Sequence, residues 1–371
     1  MRIFHYFTFY LLSLSVLTAI SCRSDRNDAV LSSFEDCTFD ASVLDSISLA
    51  SFGMYLPVSI AKYGDWFAIQ NAQSDKCVQL FNPKDSLIID CIRKGRGPGE
   101  VIMPSSFQLT EGSLFLYDIS QQKYCCLNMD STISKGAPSL TTIVQFNNSS
   151  EDINHLERPY VLCNTKYGIV ANGIFTAGKW FGRLNDSGSI TDGIDYCLTD
   201  QMSDWQNQEI AVTHTSTSFA ISPDGNHLVA ALKNAPILSV CSNSEEKIAE
   251  INRIVFGDFL VRRGNREKRE PAVVFDAKSR TSFCEIKAAD QYFYVLYSGN
   301  SFSDNSVPGY ECEYILKFSY DSDCVKAYHL PKRINSFDIQ NNKAHLQSSV
   351  FKLSKDLIDS IHEEGIVAYT S

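Results

Sequence analysis

Short runs of apolar and aromatic residues follow polar turns at six places along the chain. Each turn is rich in Gly, Asp or Asn, and each run that follows has the length and residue types of a β-strand. The turns recur roughly every 50 to 65 residues, a period typical of propeller blades or slightly longer. They lie at residues 64–65, 111–112, 166–168, 222–225, 289–290 and 340–342. The pattern therefore predicts one strand unit that is repeated about six times.

Further strands with their own turns continue each unit, as in residues 76–89, 181–190 and 314–328, and they are predicted to form antiparallel hairpins. Helical periodicity is nearly absent, and its best candidate is residues 354–364. The predicted fold class is all-β, a six-bladed β-propeller of four-stranded antiparallel blades. A pair of β-sandwiches is the alternative, although a sandwich need not repeat a turn and an aromatic strand at this spacing.

A propeller usually closes when a strand from one terminus completes the blade formed by the other, which hides both open edges. Residues 36–50 contain short alternating strands that suit this role. They are expected to pair with the strand near residues 366–369. The propeller domain is accordingly predicted over residues 34–371.

The chain begins with a short positive region at Arg2, followed by an almost uncharged apolar run over residues 4–20. The sequence Ala19-Ile20-Ser21 then leads into Cys22, and the chain becomes polar at once. This order is typical of a signal peptide, and a cysteine directly after a small residue resembles the lipobox of bacterial lipoproteins. The prediction is a signal peptide over 1–21, a lipidated Cys22 with a polar tether over 22–33, and a membrane anchor made by lipid. The alternative is an ordinary secretory signal followed by a chance cysteine.

The formal net charge of −10 and the pI of about 5.2 exclude nucleic acid as the expected partner, because phosphate binding needs a concentrated positive field. They also argue against attachment to acidic lipid by charge alone. Residues 262–270 form the strongest charge run and contain both basic and acidic side chains. Contact with an acidic partner and a solvated loop are both open interpretations of this run.

Twelve cysteines are present, and eleven remain if Cys22 carries lipid. They are spread evenly and contain no CxxC pair, so neither a zinc ribbon nor a thioredoxin-type site is predicted. Several lie inside apolar strands, where a free thiol behaves as a small buried hydrophobe. Mostly buried free thiols are expected, with one or two unassigned disulfides left open.

Residues 93–100 have the sequence RKGRGPGE, and residues 222–225 have the sequence SPDG. The first resembles the glycine-rich motif of TolB-like six-bladed β-propeller lipoproteins of Gram-negative bacteria, and the second is similar to a turn common in TolB-type repeats. The resemblance covers the whole mature chain in architecture but only these two motifs in residue identity. It implies a six-bladed ring on a lipid anchor in the outer membrane, facing the periplasm or the cell surface, and no general enzymatic activity.

The glycine-rich motif combines chain flexibility with charge, since its glycines permit sharp turns and positive φ values. In a propeller it would link an outer strand to the innermost strand of the next blade, near the channel mouth. Arg93, Arg96 and Glu100 are therefore the predicted ligand-binding residues. The alternative is a structural corner in which Arg96 pairs with Glu100.

Catalytic motifs such as GxSxG, HExxH and the Walker loop do not occur, so no catalytic residue, metal ligand or cofactor is predicted. Trp180, Phe181 and Trp205 are candidates either for stacking on sugar rings or for core packing. The leading hypothesis is a monomeric, lipid-anchored, non-enzymatic binding module of the cell envelope, with a protein, peptide or glycan partner. The alternative is a propeller hydrolase or lyase with a metal in the central channel.

Overall fold

The computed structural model describes residues 28–34, 38–41, 43–72, 74–146, 157–257, 260–268, 272–303, 311–340, 343–348 and 366–370. The predicted signal peptide, Cys22, Cys37 and the helix expected over 354–364 lie outside these ranges. Two short strands lie near the start of the described chain, β1 (Thr38–Asp40) and β2 (Val43–Ser48). Of the helices in the described ranges, none is both long and apolar enough to cross a membrane.

Five sheets each contain four consecutive antiparallel strands, as predicted for propeller blades. A further strand of two residues pairs in parallel with the outermost strand of the first of these sheets. The first blade contains β3 (Pro57–Tyr63), β4 (Trp66–Asn71), β5 (Lys76–Asn82) and β6 (Leu87–Lys94) with β7 (Glu100–Val101), and the second contains β8 (Pro104–Thr110), β9 (Ser113–Asp118), β10 (Lys123–Asn128) and β11 (Leu140–Gln145). The third contains β12 (Arg158–Thr165), β13 (Gly168–Ile174), β14 (Phe181–Leu184) and β15 (Ile190–Ile194), and the fourth contains β16 (Thr217–Ile221), β17 (His227–Leu232), β18 (Ile237–Asn243) and β19 (Ile248–Val255). The fifth contains β22 (Phe283–Ala288), β23 (Tyr292–Tyr297), β24 (Cys312–Ser319) and β25 (Cys324–Ile334).

A sixth sheet contains β26 (Ser336–Gln340), β27 (Lys343–Ser348), β28 (Ile366–Thr370) and β2. The predicted pairing of the chain start with residues 366–369 is confirmed, because β2 pairs with β28 from Val43–Ile366 to Ser48–Thr370. This sheet departs from the antiparallel prediction, since β28 runs parallel to both neighbours. Seventeen residues separate β27 from β28, which is long enough for the crossover that a parallel pair requires.

The first strands of the six sheets form the inner ring of the propeller. β3, β8, β12, β16, β22 and β26 each contact the next in this order, and β26 contacts β3. The six turns found in the sequence fall between the first and the second strand of a sheet, and residues 341–342 of the sixth lie outside the described ranges. The six-unit prediction is therefore confirmed at the level of topology.

The chain start also extends the fifth blade, because β1 pairs in parallel with β25 at its outer edge. Just before it, helix α1 (Ala29–Ser32) is capped by the Asp28 carboxylate, whose Oδ1 accepts the Val30 N–H at 2.9 Å. Phe34 is fully buried, with its ring 5.2 Å from that of Phe318. The N-terminal segment is therefore fastened to the ring before the first blade begins.

Two connections carry extra structure. Helix α2 (Met129–Lys135) joins β10 to β11, and helix α3 (Asn207–His214) lies between β15 and β16. A small hairpin of β20 (Val261–Arg263) and β21 (Val273–Phe275) follows β19. Neither α3 nor this hairpin has a clear counterpart in the sequence pattern.

The core lies between neighbouring blades, where side chains of adjacent sheets interdigitate. Trp180 and Phe181 are completely buried there, so the core-packing interpretation holds for both. Within the described ranges, the free thiols include Cys77, Cys91, Cys125, Cys126, Cys163, Cys197 and Cys241. Burial raises the pKa of Cys77 to about 11 and that of Cys163 to about 12, which keeps these thiols protonated and unreactive.

Candidate functional site: the axial cavity

A cavity of about 710 Å³ follows the axis of the ring. All six inner strands contribute to its wall, although they are separated by up to about 280 residues in sequence. The wall is mixed in character, with lysines, carboxylates, amides and hydroxyls beside apolar side chains. A concave site with a few convergent polar groups is the usual form of a ligand pocket.

Four charged side chains, the channel charges, converge on one side of this cavity: Lys62 from β3, Glu285 and Lys287 from β22, and Asp338 from β26. The Lys287 ammonium lies 3.1 Å from Glu285 Oε1. It also lies 3.5 Å from the carbonyl oxygen of Ile60. The side chains of Lys287 and Glu285 are 17% and 20% exposed, so this ion pair remains in contact with solvent in the cavity.

The protonation of these groups follows from burial and from their mutual contacts. Burial raises the pKa of Glu285 and of Asp338, and the nearby Lys287 ammonium offsets this only in part. Burial opposes the charge on Lys287, but the two carboxylates outweigh it and raise the pKa of that side chain. Burial lowers the pKa of Lys62. The site thus places groups of both signs where a ligand can contact them.

Asp338 also joins the ends of the ring. Its Oδ2 accepts the backbone N–H of Lys62 at 2.6 Å, and its Oδ1 accepts that of Ile339 at 2.9 Å. Two residues earlier, Ser336 Oγ accepts the N–H of Ile60 at 3.1 Å. These bonds connect β26 of the last sheet to β3 of the first, so a carboxylate of the candidate site also holds the ring closed.

The same arrangement recurs between β8 and β12. Ser106 Oγ accepts the Leu162 N–H at 2.8 Å, and the Gln108 side chain both accepts from and donates to the backbone of Asn164. A Ser-x-Gln or Ser-x-Asp pair on one inner strand thus bonds to alternate residues of the next. The sequence does contain both triplets, but they become recognisable only once the strands are known to be neighbours.

Apolar side chains also line the cavity. Phe107 and Leu109 of β8 and Phe219 and Ile221 of β16 are partly buried and line it. A ligand with both charged and apolar parts would match this mixed wall.

The glycine-rich motif is placed elsewhere. Arg93 and Arg96 are exposed, Glu100 is half-buried, and the described residues that line the cavity include none of the three. The Glu100 carboxylate accepts the Gly97 N–H at 2.7 Å, and a Cβ at Gly95 would lie 2.1 Å from Glu100 Oε2. The motif therefore forms a tight corner around its own glutamate rather than an Arg96–Glu100 pair. The ligand-binding role of Arg93, Arg96 and Glu100 stays a prediction.

Residues missed by the sequence interpretation hold this corner in place. Asp118 is fully buried and accepts the N–H groups of Ile102 at 2.6 Å and of Met103 at 3.3 Å. Burial alone would raise its pKa, but these bonds and those from Gln121 outweigh burial and lower it. Lys123 donates to the carbonyl oxygen of Glu100. A carboxylate followed by a turn gives no distinctive signal in the sequence.

Within the charge run at 262–270, one basic side chain pairs with acidic residues elsewhere in the chain. Arg263 pairs with Asp204 and Glu209, each at 2.9 Å, and its guanidinium lies over the half-buried Trp205 ring at 5.7 Å. Trp205 is therefore engaged by an arginine. Within the described ranges, no three His, Cys, Asp or Glu side chains come together in a metal-binding group.

Several known proteins are similar to this chain. Two similar solved structures are a putative exported protein from Bacteroides fragilis (15% identity, covering 81% of this chain and 78% of that one, TM-score 0.43) and a DUF4221-family member from Bacteroides vulgatus (10% identity, 79% and 87% coverage, TM-score 0.43). A luciferin-regenerating enzyme matches at 10% identity over 76% and 79%, with a TM-score of 0.39. No curated protein sequence matches the chain. The family described as TolB-like 6-blade propeller-like matches residues 34–342, and the chain belongs to this family.

Proposed function

We propose that this protein is a lipid-anchored, non-enzymatic binding protein of the cell envelope, and that its ligand occupies the axial cavity. The observation that carries the proposal is the convergence of Lys62, Glu285, Lys287 and Asp338 on one side of a cavity of about 710 Å³. The anchor is supported by Cys22 directly after Ala19-Ile20-Ser21. The protein would act as a monomer on the outer membrane, held there by its acyl chains.

A peptide, or an exposed segment of a partner protein, suits the cavity better than a neutral glycan. The channel charges offer partners for an ammonium and for a carboxylate, and other parts of the wall offer apolar side chains. A neutral sugar would offer no charge to these side chains, and neither tryptophan could serve it as a stacking platform, because Trp180 is buried and Trp205 is covered by Arg263. The Lys287–Glu285 pair is solvated in the cavity, so exchanging water for a charged ligand is feasible there.

The test is a binding screen on the purified mature chain. A pool of tripeptides that covers all charge combinations and a pool of neutral oligosaccharides are offered to the wild type and to Lys62→Met. Native mass spectrometry measures what is retained. Lys62 bonds to Asp338 through its backbone N–H, so removing its ammonium leaves the ring closure intact.

Wild type is expected to retain charged tripeptides, and Lys62→Met to lose at least tenfold in affinity. Lys247→Met, an exposed lysine on a remote turn, serves as the matched control and is expected to bind as wild type does. Equal retention by Lys62→Met would contradict the channel site. Loss of binding in Arg96→Ala with normal folding would instead favour the glycine-rich corner.

The hydrolase or lyase alternative is tested on the same preparation. Elemental analysis after dialysis measures bound divalent metal. A stoichiometric ion, together with turnover of a retained peptide or sugar, would replace the binding proposal with the enzymatic one. Retention of intact ligand without turnover supports the binding protein.

A further inference from the structure

The acidic and basic groups of the axial cavity differ in how many partners they already have. Six charged residues of the described chain line it: Lys62, Lys233, Lys287, Glu111, Glu285 and Asp338. A group whose hydrogen bonds are already made gains less from a ligand than one whose donors lack partners. The existing partners of each group therefore indicate the charge of the ligand.

The carboxylates inside the cavity serve the ring itself. Glu285 Oε2 accepts the backbone N–H of Phe337 at 3.0 Å, and its Oε1 lies 3.1 Å from the Lys287 ammonium. Both oxygens of Asp338 accept backbone N–H groups. These bonds join β22 to β26 and β26 to β3, so each of the four oxygens already has a partner. Glu111 is exposed on the turn between β8 and β9, where water solvates its charge.

Neutral polar side chains of the wall are used in the same way. Ser106 and Gln108 of β8 bond to the backbone of β12. Ser218 of β16 donates to the backbone of β22 at 3.1 Å, and Asn335 donates to the carbonyl oxygen of the first residue of β3 at 3.1 Å. These groups connect neighbouring strands of the ring, so they contribute little to holding a ligand.

The lysine ammonium groups differ from the rest of the wall. Among the ion pairs of the described residues, none includes Lys62 or Lys233, and both side chains are half-buried. The Lys62 ammonium lies over the Phe67 ring, 4.2 Å from its centre. Burial lowers the pKa of Lys62, and an anionic ligand would offset this cost of holding its charge. The charge left for a ligand is therefore positive, although the chain as a whole is acidic.

Lys233 and Lys62 lie towards opposite ends of the ring axis. The Lys233 N–H donates to the Ser216 carbonyl oxygen at 2.9 Å, and its own carbonyl oxygen accepts the Ser282 N–H at 2.6 Å. Ser216 and Ser282 directly precede the inner strands β16 and β22, whereas Lys62 is the sixth of seven residues in β3. Blades of four antiparallel strands start their inner strands at the same end of the axis. A ligand that meets both lysines must therefore be extended.

We propose that the ligand of the axial cavity is an extended acidic peptide segment, with one carboxylate on Lys233 and another on Lys62 and Lys287. This inference deepens the proposed function and rests on it. Apolar side chains between the two carboxylates would contact Phe107 and Phe219 of the wall. A neutral or basic segment would leave the half-buried ammonium groups without a partner. An acidic glycan would supply the charges but not the apolar side chains.

Isothermal titration calorimetry on the purified mature chain tests the charge of the ligand. The probes are N-acetylated, C-amidated peptides in which four alanines separate two glutamates, two glutamines or two lysines, about 17 Å apart when extended. The diglutamate peptide is expected to bind at least about tenfold more tightly than the other two, and added salt should weaken its binding. Equal or tighter binding of the glutamine or lysine peptide would overturn the acidic preference and leave the binding function standing. If no peptide binds, both proposals fail.

An oligogalacturonate of similar length is the competing acidic probe. Tighter binding of this glycan than of the diglutamate peptide would overturn the peptide assignment while keeping an anion in the cavity. Weaker binding supports the peptide.

Substitutions test whether the charges meet at two separate places. Lys233→Met and Lys62→Met are each expected to weaken the diglutamate peptide about tenfold, and the exposed Lys247→Met is the matched control. A peptide with a single glutamate can use either lysine, so at least one of the two substitutions should spare it. Unchanged binding of the diglutamate peptide in both variants overturns the inference, as does equal loss of the single-glutamate peptide in both. The urea midpoint of each variant checks that it folds.

Discussion

His214 shows how packing alone decides the chemistry of a residue. Its side chain is fully buried at the end of α3, with its ring 5.6 Å from that of Trp180 and 4.9 Å from that of Tyr196. Its Nε2 accepts the Cys197 N–H at 3.2 Å, which places the proton of the neutral ring on Nδ1, 3.1 Å from the Ile210 carbonyl oxygen. A histidine in a sequence suggests catalysis or metal binding, but this one is a neutral core residue.

The pH dependence of stability should reveal this state. Burial lowers the pKa of His214 from 6.5 to about 3, so the unfolded chain binds a proton below pH 6.5 that the folded chain does not. Its contribution to stability is therefore complete above pH 6.5 and is lost as the pH falls towards 3, at about 1 kcal/mol per pH unit. Urea unfolding of wild type and His214→Gln between pH 7.5 and pH 5 measures this dependence. The unfolding free energy of the variant is expected to fall less steeply with decreasing pH than that of wild type. Parallel profiles for the two proteins would show that His214 titrates normally.

The link between the first and second blades shows how an element combines geometry and charge. Its basic side chains face solvent, whereas Glu100 turns back to accept the Gly97 N–H and Asp118 anchors the residues that follow. Gly95 leaves the space that the Glu100 carboxylate occupies. The carboxylates of Glu100 and Asp118 therefore stabilise the corner, and the arginines remain exposed to solvent.

Alanine substitutions separate these two roles. Glu100→Ala removes the acceptor of the Gly97 N–H and is expected to cost about 1–2 kcal/mol of unfolding free energy. Arg96→Ala changes an exposed side chain and should remain within about 0.5 kcal/mol of wild type. Urea denaturation measures both, and Arg93→Ala is a second exposed control. A larger cost for Arg96→Ala than for Glu100→Ala would restore the ion-pair interpretation of the corner.

How much the sequence predicts depends on how local each feature is. The six turns are local, because a Gly or Asp followed by an aromatic run is sufficient to indicate a turn and a strand. Helix α3 was missed because its capping residues Gln206 and Glu209 precede a stretch with little apolar periodicity. The channel charges could not be found from the sequence, since Lys62 and Asp338 are 276 residues apart and meet only when the ring closes.

At the scale of the whole molecule, the structure is a ring whose two chain ends are joined. β28 lies between β2 and β27, so a strand from the C-terminal end fastens the chain start to the last sheet. The side chains of Ser336 and Asp338 connect that sheet to β3 at the inner ring. The same chain start carries Asp28 and the short connection to Cys22. The segment that closes the ring therefore also leads to the cysteine proposed to carry the anchor.

Deleting residues 366–371 tests whether the ring depends on this closure. The deletion leaves β2 and the outer edge of β27 without their ladder partners, which at roughly 1 kcal/mol per lost hydrogen bond costs about 5 kcal/mol. The urea midpoint should fall, and hydrogen exchange in β2 and β26 should accelerate more than in β13 of the third blade, because the damage starts at the seam. Deleting Ser371 alone, which lies beyond β28, is the matched control and should leave both measurements unchanged. An unchanged midpoint after the longer deletion would mean that the inner-ring bonds of Ser336 and Asp338 close the propeller without help from the C-terminal strand.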